Sequence, residues 1–457
     1  MDHHKKIEGE GTQLELIKRR RSEIPDSERV ENLRGKLYQK AKQEKSYKFY
    51  VLYDKMFIPY MLREGWKQVK SNGGSAGIDG VSISDVEGYG VDLYLSELGE
   101  SLRTRSYRPM AVKRVLIPKA NGGERPLGIP TVRDRIAQTV CKLLLEPIFE
   151  ADFEESSYGF RPGRRASDAV GAIRSHLQTG HTAVLDADLS KYFDTIPHDT
   201  LMIALKERIS DPRLLDLIKL WLKVPVFDSG QFKGGKKNKL GTPQGGVISP
   251  LLANVYLHLL DRIVNNPKSL FYKSGVKMVR YADDFVLMGR DISTEVSTKL
   301  TVLLGRMGLS LNAAKTKQKD AQRESFDFLG FRFGYRKDLF TKGKYYWNIT
   351  PSKKSEQRIM DKIRDYLSSH GHYAAEKIAA DLNSLLRGWL NYFTIQGVSY
   401  PKMSNRRLRY YLYERLNRYY QRKSQRKCRL YGQGAYQVLT SRYGLIDPTK
   451  YKKLTSL

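Results

Sequence analysis

The stretch Val279-Arg-Tyr-Ala-Asp-Asp-Phe-Val-Leu-Met-Gly289 sets two adjacent carboxylates, Asp283 and Asp284, inside an otherwise apolar run. β-Forming residues flank the pair on both sides, the composition of two strands joined by a tight turn. Aspartate is favoured in turns, where it tolerates unusual dihedrals, so a plain surface hairpin is one reading. A second acidic strand end weighs against it. In "VLDADLSKYFD" (184–194), Asp186, Asp188 and Asp194 again interrupt apolar residues. Two strand ends that present carboxylates to each other repel unless cations bridge them. Mg²⁺ suits that place, because it takes oxygen ligands and shares its shell with substrate phosphates. A pair of such ions activates an attacking hydroxyl and stabilises the leaving oxygen in phosphoryl transfer. Spacing alone does not bring residues 188 and 283 together.

The rest of the composition narrows the partners. The chain has 457 residues, 80 Lys+Arg against 49 Asp+Glu, and a formal charge of +31. That self-repulsion is explained by a polyanionic partner, since neutralising phosphates releases counterions; a solvated basic surface is the plainer alternative. No apolar run approaches the roughly 20 residues of a membrane span. The N-terminal "MDHHKKIEGEGTQLELIKRRRSE" has no apolar segment of a secretory signal. Cys141 and Cys428 are the only cysteines, which excludes a disulfide scaffold and a Cys-rich zinc site and suits a reducing cytoplasm.

Along the chain, residues 12–50 are charge-rich with scattered Leu, Ile and Tyr, and read as helical or partly ordered. "FIPYMLREGWKQVKSN" has helical spacing and ends on the glycines of "NGGSAGIDG" (72–80), which let backbone approach a ligand closely. The pattern predicts a helix over 91–103, a β-hairpin over 110–130, and a helix from Arg133 that stops near Pro147. A strand over 182–189 leads to a helix starting after Pro197. "GTPQGGVISPLLANVYLHLLDRIV" reads as a glycine loop opening an apolar helix, and "FDFLGFRFGY" as a strand pair. Beyond 350 the style becomes helical. Strands and helices mixed in this way indicate an α+β fold. The expected division is a basic extension (1–50), a mixed domain (51–345) and a helical domain (346–457).

Taken together, these blocks resemble a reverse transcriptase of the group II intron-encoded type. "DADLSKYFDTIPH", "GTPQGGVISPLLANVYL" and "RYADDFVLM" follow the order and spacing of that family. "NGGSAGIDG" is similar to its N-terminal insertion motif, "IPKANGGERPLGIPTVRDRIAQ" to its fingers, and "GLSLNAAKTK" and "FDFLGFRF" to its sixth block and primer-grip region. "LNSLLRGWLNYF" is similar to the maturase, or X, signature. The resemblance runs from about residue 55 to about 430. It implies a right-hand fingers and palm with a helical thumb/maturase domain.

It also implies site residues. Asp188 and Asp283 match the aspartates that hold two catalytic Mg²⁺ ions, and Asp284 matches the lesser acidic residue beside them. Phe193 falls where the family has a bulky side chain under the nucleotide sugar, which implies selection of deoxynucleotides. Lys119 and Arg125, flanking the "NGG" turn, resemble the triphosphate contacts, with Lys113 a weaker third. Gln244 and Gly245 would lie against the nascent base pair, and Lys315 near the triphosphate. Asp194 is read instead as capping or bracing the next helix, and His198 as part of its first turn.

Residues 401–430 hold eleven Lys/Arg against one acid, Glu414. Leu408, Leu412, Leu416 and Tyr420 form an inward stripe, which leaves a basic face suited to RNA phosphates. Arg406, Arg407, Arg409, Arg418 and Arg422 are the candidate RNA contacts. Trp389, Tyr392 and Phe393 read as packing of the helical domain. One cysteine and no histidine follow residue 372, so the Cys/His-rich nuclease module of some family members is not expected. The expected partners are group II intron RNA, an RNA template with a DNA primer, dNTPs and a DNA target. The expected activity is RNA-directed DNA synthesis that serves intron splicing and mobility. A domesticated polymerase in host defence or repair, and a maturase-only splicing factor, are the competing readings.

Overall fold

The computed structural model describes residues 24–118, 123–228, 230–233, 239–243, 245–338, 341–423 and 429–453. In chain order its strands are β1 (Val112–Pro118), β2 (Glu124–Ile129), β3 (Ala183–Ala187), β4 (Val226–Asp228), β5 (Gln231–Lys233) and β6 (Lys277–Tyr281). They continue as β7 (Asp284–Gly289), β8 (Lys317–Asp320), β9 (Phe326–Phe328), β10 (Phe331–Lys337) and β11 (Tyr345–Pro351). With the helices between them this is an α+β fold. The chain divides into two compact units: one gathers residues up to Pro162 with Leu189–Asn266 and Thr298–Asn312, the other Gly163–Asp188, Pro267–Ser297 and the chain from Ala313 onward. Among the described residues no helix is long and apolar enough to cross a membrane.

The first unit is built on the helix Val132–Glu150, which is buried almost all round. Gly65 of the helix Pro59–Asn72 lies against it. A Cβ there would stand 2.9 Å from Val140 Cγ2 and 3.3 Å from the Ile136 carbonyl, so this crossing requires glycine. The proline expected to stop the long helix at Pro147 does not do so; it lies inside it. Proline leaves the carbonyl of residue i−4 without its helical donor. Here that carbonyl, Leu143 O, accepts from Arg34 Nη1 at 3.2 Å, while Arg34 Nη2 bonds Glu146 at 2.8 Å. Arg34 belongs to the helix Asp26–Gln43, so the charged N-terminal segment supplies what the proline removes. The C-terminal end of that helix is closed by Arg208, whose guanidinium donates to the carbonyls of Ala41, Glu44, Lys45 and Tyr47. The hairpin β1–β2 runs antiparallel from Lys113↔Ile129 to Pro118↔Glu124, and β1 adds β4 in parallel to give the order β2-β1-β4-β5.

The second unit holds an antiparallel sheet of order β6-β7-β3-β8. Its central strand β7 is buried over Phe285–Gly289, which accounts for the continuous apolar run after Asp284. A smaller sheet, β11-β10-β9, turns tightly at Leu329–Gly330, where both residues have positive φ (49° and 78°). Strand β11 lies in the stretch where the sequence reading expects the helical style to begin; its alternation is masked by the tyrosines at its start. The helices Lys353–Ser369, Ala375–Phe393 and Lys402–Arg422 share a core that includes Ile363, Leu382, Leu386, Leu412 and Leu416. Phe393 packs on Phe331 and Trp389, and Tyr392 donates to Leu329 O at 2.9 Å, so the aromatic trio is structural as expected. Leu412 is fully buried. Leu412→Ala is expected to destabilise this unit by about 2–5 kcal/mol, the range for a leucine truncated in a closed core. Denaturant unfolding followed by circular dichroism measures it.

Candidate active site

In the second unit, Tyr281 pairs with Asp284, so the loop between β6 and β7 consists of Ala282 and Asp283 alone. Such short hairpins call for positive φ at the first loop position. Ala282 takes it, at 59°, in a region that disfavours a Cβ. Asp283 therefore stands on the turn, and Asp284 opens β7 rather than sharing the loop. Strand β3 pairs antiparallel with β7 up to Ala187↔Phe285, and continuing that register by one residue sets Asp188 beside Asp284. The topology thus brings the two acidic strand ends to one edge of one sheet.

The charges respond to that proximity. Although Asp284 reaches solvent, packing around its carboxyl, and then the charges of Asp283, Asp188 and Asp186, push it up to about 6. Asp186 of β3, two residues before Asp188 and so on the same face, is also pushed up to about 6, by burial first and then by Asp188. Lys315 supplies a counter-charge: its Nζ lies 3.2 and 3.3 Å from the two carboxylate oxygens of Asp188. Among the described residues no group of three or more His, Cys, Asp or Glu is drawn together in the geometry of a metal site. The donors nonetheless fit a hard divalent cation. They are carboxylate oxygens only, the charges of Asp283 and Asp188 help raise the proton affinity of Asp284, and Asp188 already holds an ammonium.

The other expected nucleotide contacts are distributed as follows. Phe193 lies half-buried in the one-turn helix Tyr192–Thr195 of the first unit. Its carbonyl accepts from Thr242 N at 2.7 Å, while the Tyr192 hydroxyl anchors the turn on Ala253 O at 2.7 Å. Asp194 lies inside that turn and does not cap the following helix, whose N-cap is Pro197 with no side-chain bond; the proline had already fixed that helix start. His198 is buried in the first turn, its Nε2 2.6 Å from Gly241 O. Gly245 has φ 108°, and a Cβ there would collide with the Gly128 carbonyl of β2, so the close approach its glycine permits is to the fingers hairpin. Lys119 and Gln244 lie outside the described residues, and of Arg125 only the backbone, in β2, is described. Lys113 is exposed on β1.

On the helix Lys402–Arg422, all of Arg406, Arg407, Arg409, Arg418 and Arg422 are exposed. Arg407 donates to Glu356 at 2.9 Å, and Arg409 Nε lies 3.3 Å from Asp447, so both also tie the helix to its neighbours. Arg418 and Arg422 line a groove of about 480 Å³ with Arg364, Arg415 and Lys423. The sequence reading missed Arg364, because Asp361 and Asp365 beside it cancel the local charge signal.

Comparison with known proteins agrees with this geometry. Residues 117–333 match the family described as reverse transcriptase (RNA-dependent DNA polymerase), and residues 356–434 the maturase-specific domain of group II introns. Protein YkfC of Escherichia coli K12 is 37% identical over 290 residues, covering 56% of this chain and 75% of that protein. The group II intron-encoded protein LtrA of Lactococcus lactis subsp. cremoris is 35% identical over 229 residues, 50% of this chain and 37% of LtrA. An uncharacterized 91 kDa protein in a cob intron of Schizosaccharomyces pombe is 27% identical over 443 residues, 80% of this chain and 54% of that protein. The chain thus spans three-quarters of the first relative but about half or less of the other two. By class the matched domain is that of an RNA-directed DNA polymerase. The chain belongs to the group II intron reverse transcriptase/maturase family.

Proposed function

We propose that this protein binds group II intron RNA, assists its splicing, and copies RNA into DNA for intron mobility by extending a DNA primer with dNTPs. The observation that carries the reading is the meeting of Asp188 with the Asp283–Asp284 turn on one sheet edge, in a chain whose residues 356–434 match the maturase-specific domain. Reverse transcriptases as a family use divalent metal ions. In this chain Asp188 and Asp283, with Asp284 as a lesser partner, would hold two Mg²⁺ ions. When bound, the ions supply activation of the primer hydroxyl and charge stabilisation at the departing pyrophosphate. Lys315, already beside Asp188, places a cation near the triphosphate. Lys119 and Arg125 would grip its oxygens, the arginine bidentately. Gln244 and Gly245 would face the nascent pair.

Phe193 excludes the 2′-OH by bulk. Phe193→Ala is expected to raise ribonucleotide over deoxynucleotide incorporation by roughly 10–100-fold, the range for opening a steric contact. Single-nucleotide extension with rNTP and dNTP in parallel reads the ratio. We assign polymerisation to residues 51–345 and maturase binding to 346–457, with Arg406, Arg407, Arg409, Arg418 and Arg422 facing RNA phosphates. The cysteine usage suits a cytoplasmic setting. Splicing itself belongs to the RNA. A cognate intron incubated at near-physiological Mg²⁺ should splice faster with protein than without; equal rates would remove the maturase half of the reading.

A further inference from the structure

The strand leading into the acidic turn carries a charge where its pattern calls for an apolar side chain. In β6, Met278 and Val279 are buried, and Arg280 is 0% exposed, the largest of the side chains fully removed from solvent among the described residues. Sealing a guanidinium is costly unless its N–H groups are used, and a methionine would fill the same space without that penalty. The use is visible. Arg280 Nη1 donates to the carbonyl oxygen of Ala282 at 2.8 Å. Ala282 is the loop residue held at φ 59°, where a Cβ is disfavoured. Its carbonyl and the nitrogen of Asp283 belong to one planar peptide, so holding that oxygen fixes the plane from which Asp283 departs. Asp284 follows directly, paired back onto Tyr281. The buried donor and the strained loop residue are thus one device, and its output is the direction of the two carboxylates.

We propose that Arg280 is a positioning residue for the acidic turn: by clamping the Ala282 carbonyl it aims Asp283 and Asp284 toward the cation shared with Asp188. The inference rests on the reading of those aspartates as metal-holding. Partners that orient metal ligands typically contribute 10–100-fold to metal affinity. Glycine adopts positive φ freely, so a glycine at 282 removes the need for the clamp.

The test uses Arg280→Gln and Arg280→Lys, each alone and with Ala282→Gly in the full chain. Mn²⁺ binding is measured by electron paramagnetic resonance without nucleotide, template–primer binding by fluorescence anisotropy, and folding by thermal melting. Folded Arg280→Gln is expected to bind Mn²⁺ about tenfold more weakly. Its template–primer affinity should stay within about twofold, because a side chain sealed from solvent makes no phosphate contact of its own. Adding Ala282→Gly should restore most of the Mn²⁺ affinity. A folded Arg280→Gln with wild-type Mn²⁺ affinity, or a loss that Ala282→Gly leaves untouched, overturns the proposal. If Arg280→Gln does not fold, Arg280→Lys with and without Ala282→Gly decides on the same two criteria. Asp283→Asn is the control for the underlying reading: unchanged Mn²⁺ binding there overturns the metal assignment itself and the clamp with it.

Discussion

Asp283→Asn is expected to lower primer extension by at least about a thousandfold, the several kcal/mol of charge stabilisation that a misheld metal forfeits. The asparagine keeps the shape of the turn residue and removes only its charge. Asp188→Asn should behave alike, since the register sets Asp188 beside the same strand end. Asp284→Asn should lose less, because that residue opens β7 and is the lesser ligand by resemblance. The stability change should run the other way. Asp284 is held up near 6 by packing and by the charges of Asp283, Asp188 and Asp186, so removing one like charge relieves repulsion. The melting temperature of Asp283→Asn without metal should therefore match or exceed wild type. Single-turnover nucleotide incorporation and a melt on the same preparation read both effects. Extension surviving in Asp283→Asn would remove that residue from the site.

The second large effect concerns RNA. Arg418 and Arg422 line the groove shared with Arg364, Arg415 and Lys423, whereas Arg407 and Arg409 are engaged with Glu356 and Asp447. Reversing charge at Arg418 and Arg422 together should weaken binding of structured RNA by about 10²-fold or more at moderate salt. The plot of log affinity against log salt should become shallower by about 2, one for each phosphate that is no longer neutralised. Thermal stability should barely change, since among the described residues Arg418 makes only a distant 3.9 Å approach to Glu414. Arg407→Glu is the contrast. It sets two acids together where Glu356 is largely buried, so it should lower the melting temperature as well as RNA affinity. Nitrocellulose retention across a salt series, paired with melts, separates the two behaviours. An unaltered salt slope in the double reversal would take Arg418 and Arg422 off the RNA face.

The acidic edge was legible because the signal is local: apolar strands cannot carry Asp283, Asp284, Asp186 and Asp188 without a reason, and each pair lies within a few residues. The inward stripe of Leu408, Leu412, Leu416 and Tyr420 was legible for the same reason, a period that repeats within one helix. What escaped depends on partners far along the chain. Pro147 reads as a helix stop until Arg34 is seen to take the carbonyl it leaves free. Gly245 reads as room for a base pair, and nothing local records that the Gly128 carbonyl of a distant strand also lies where its Cβ would be. Arg407 and Arg409 read as equal members of a basic face until Glu356 and Asp447 arrive beside them. Arg280 had a faint local signal, a cation inside an apolar strand, which the adjacent aspartates overshadowed. Pairings of this kind are set by tertiary structure, and no propensity or period records them.

The activity proposed for this acidic sheet edge is DNA synthesis on an RNA template. A DNA primer annealed to a defined RNA strand, incubated with the purified protein, dNTPs and Mg²⁺, tests it most directly. Primer extension to the end of the RNA is expected, lost on chelation and lost in Asp283→Asn. A wild-type protein that binds the RNA–primer duplex yet adds no nucleotide under those conditions would contradict it.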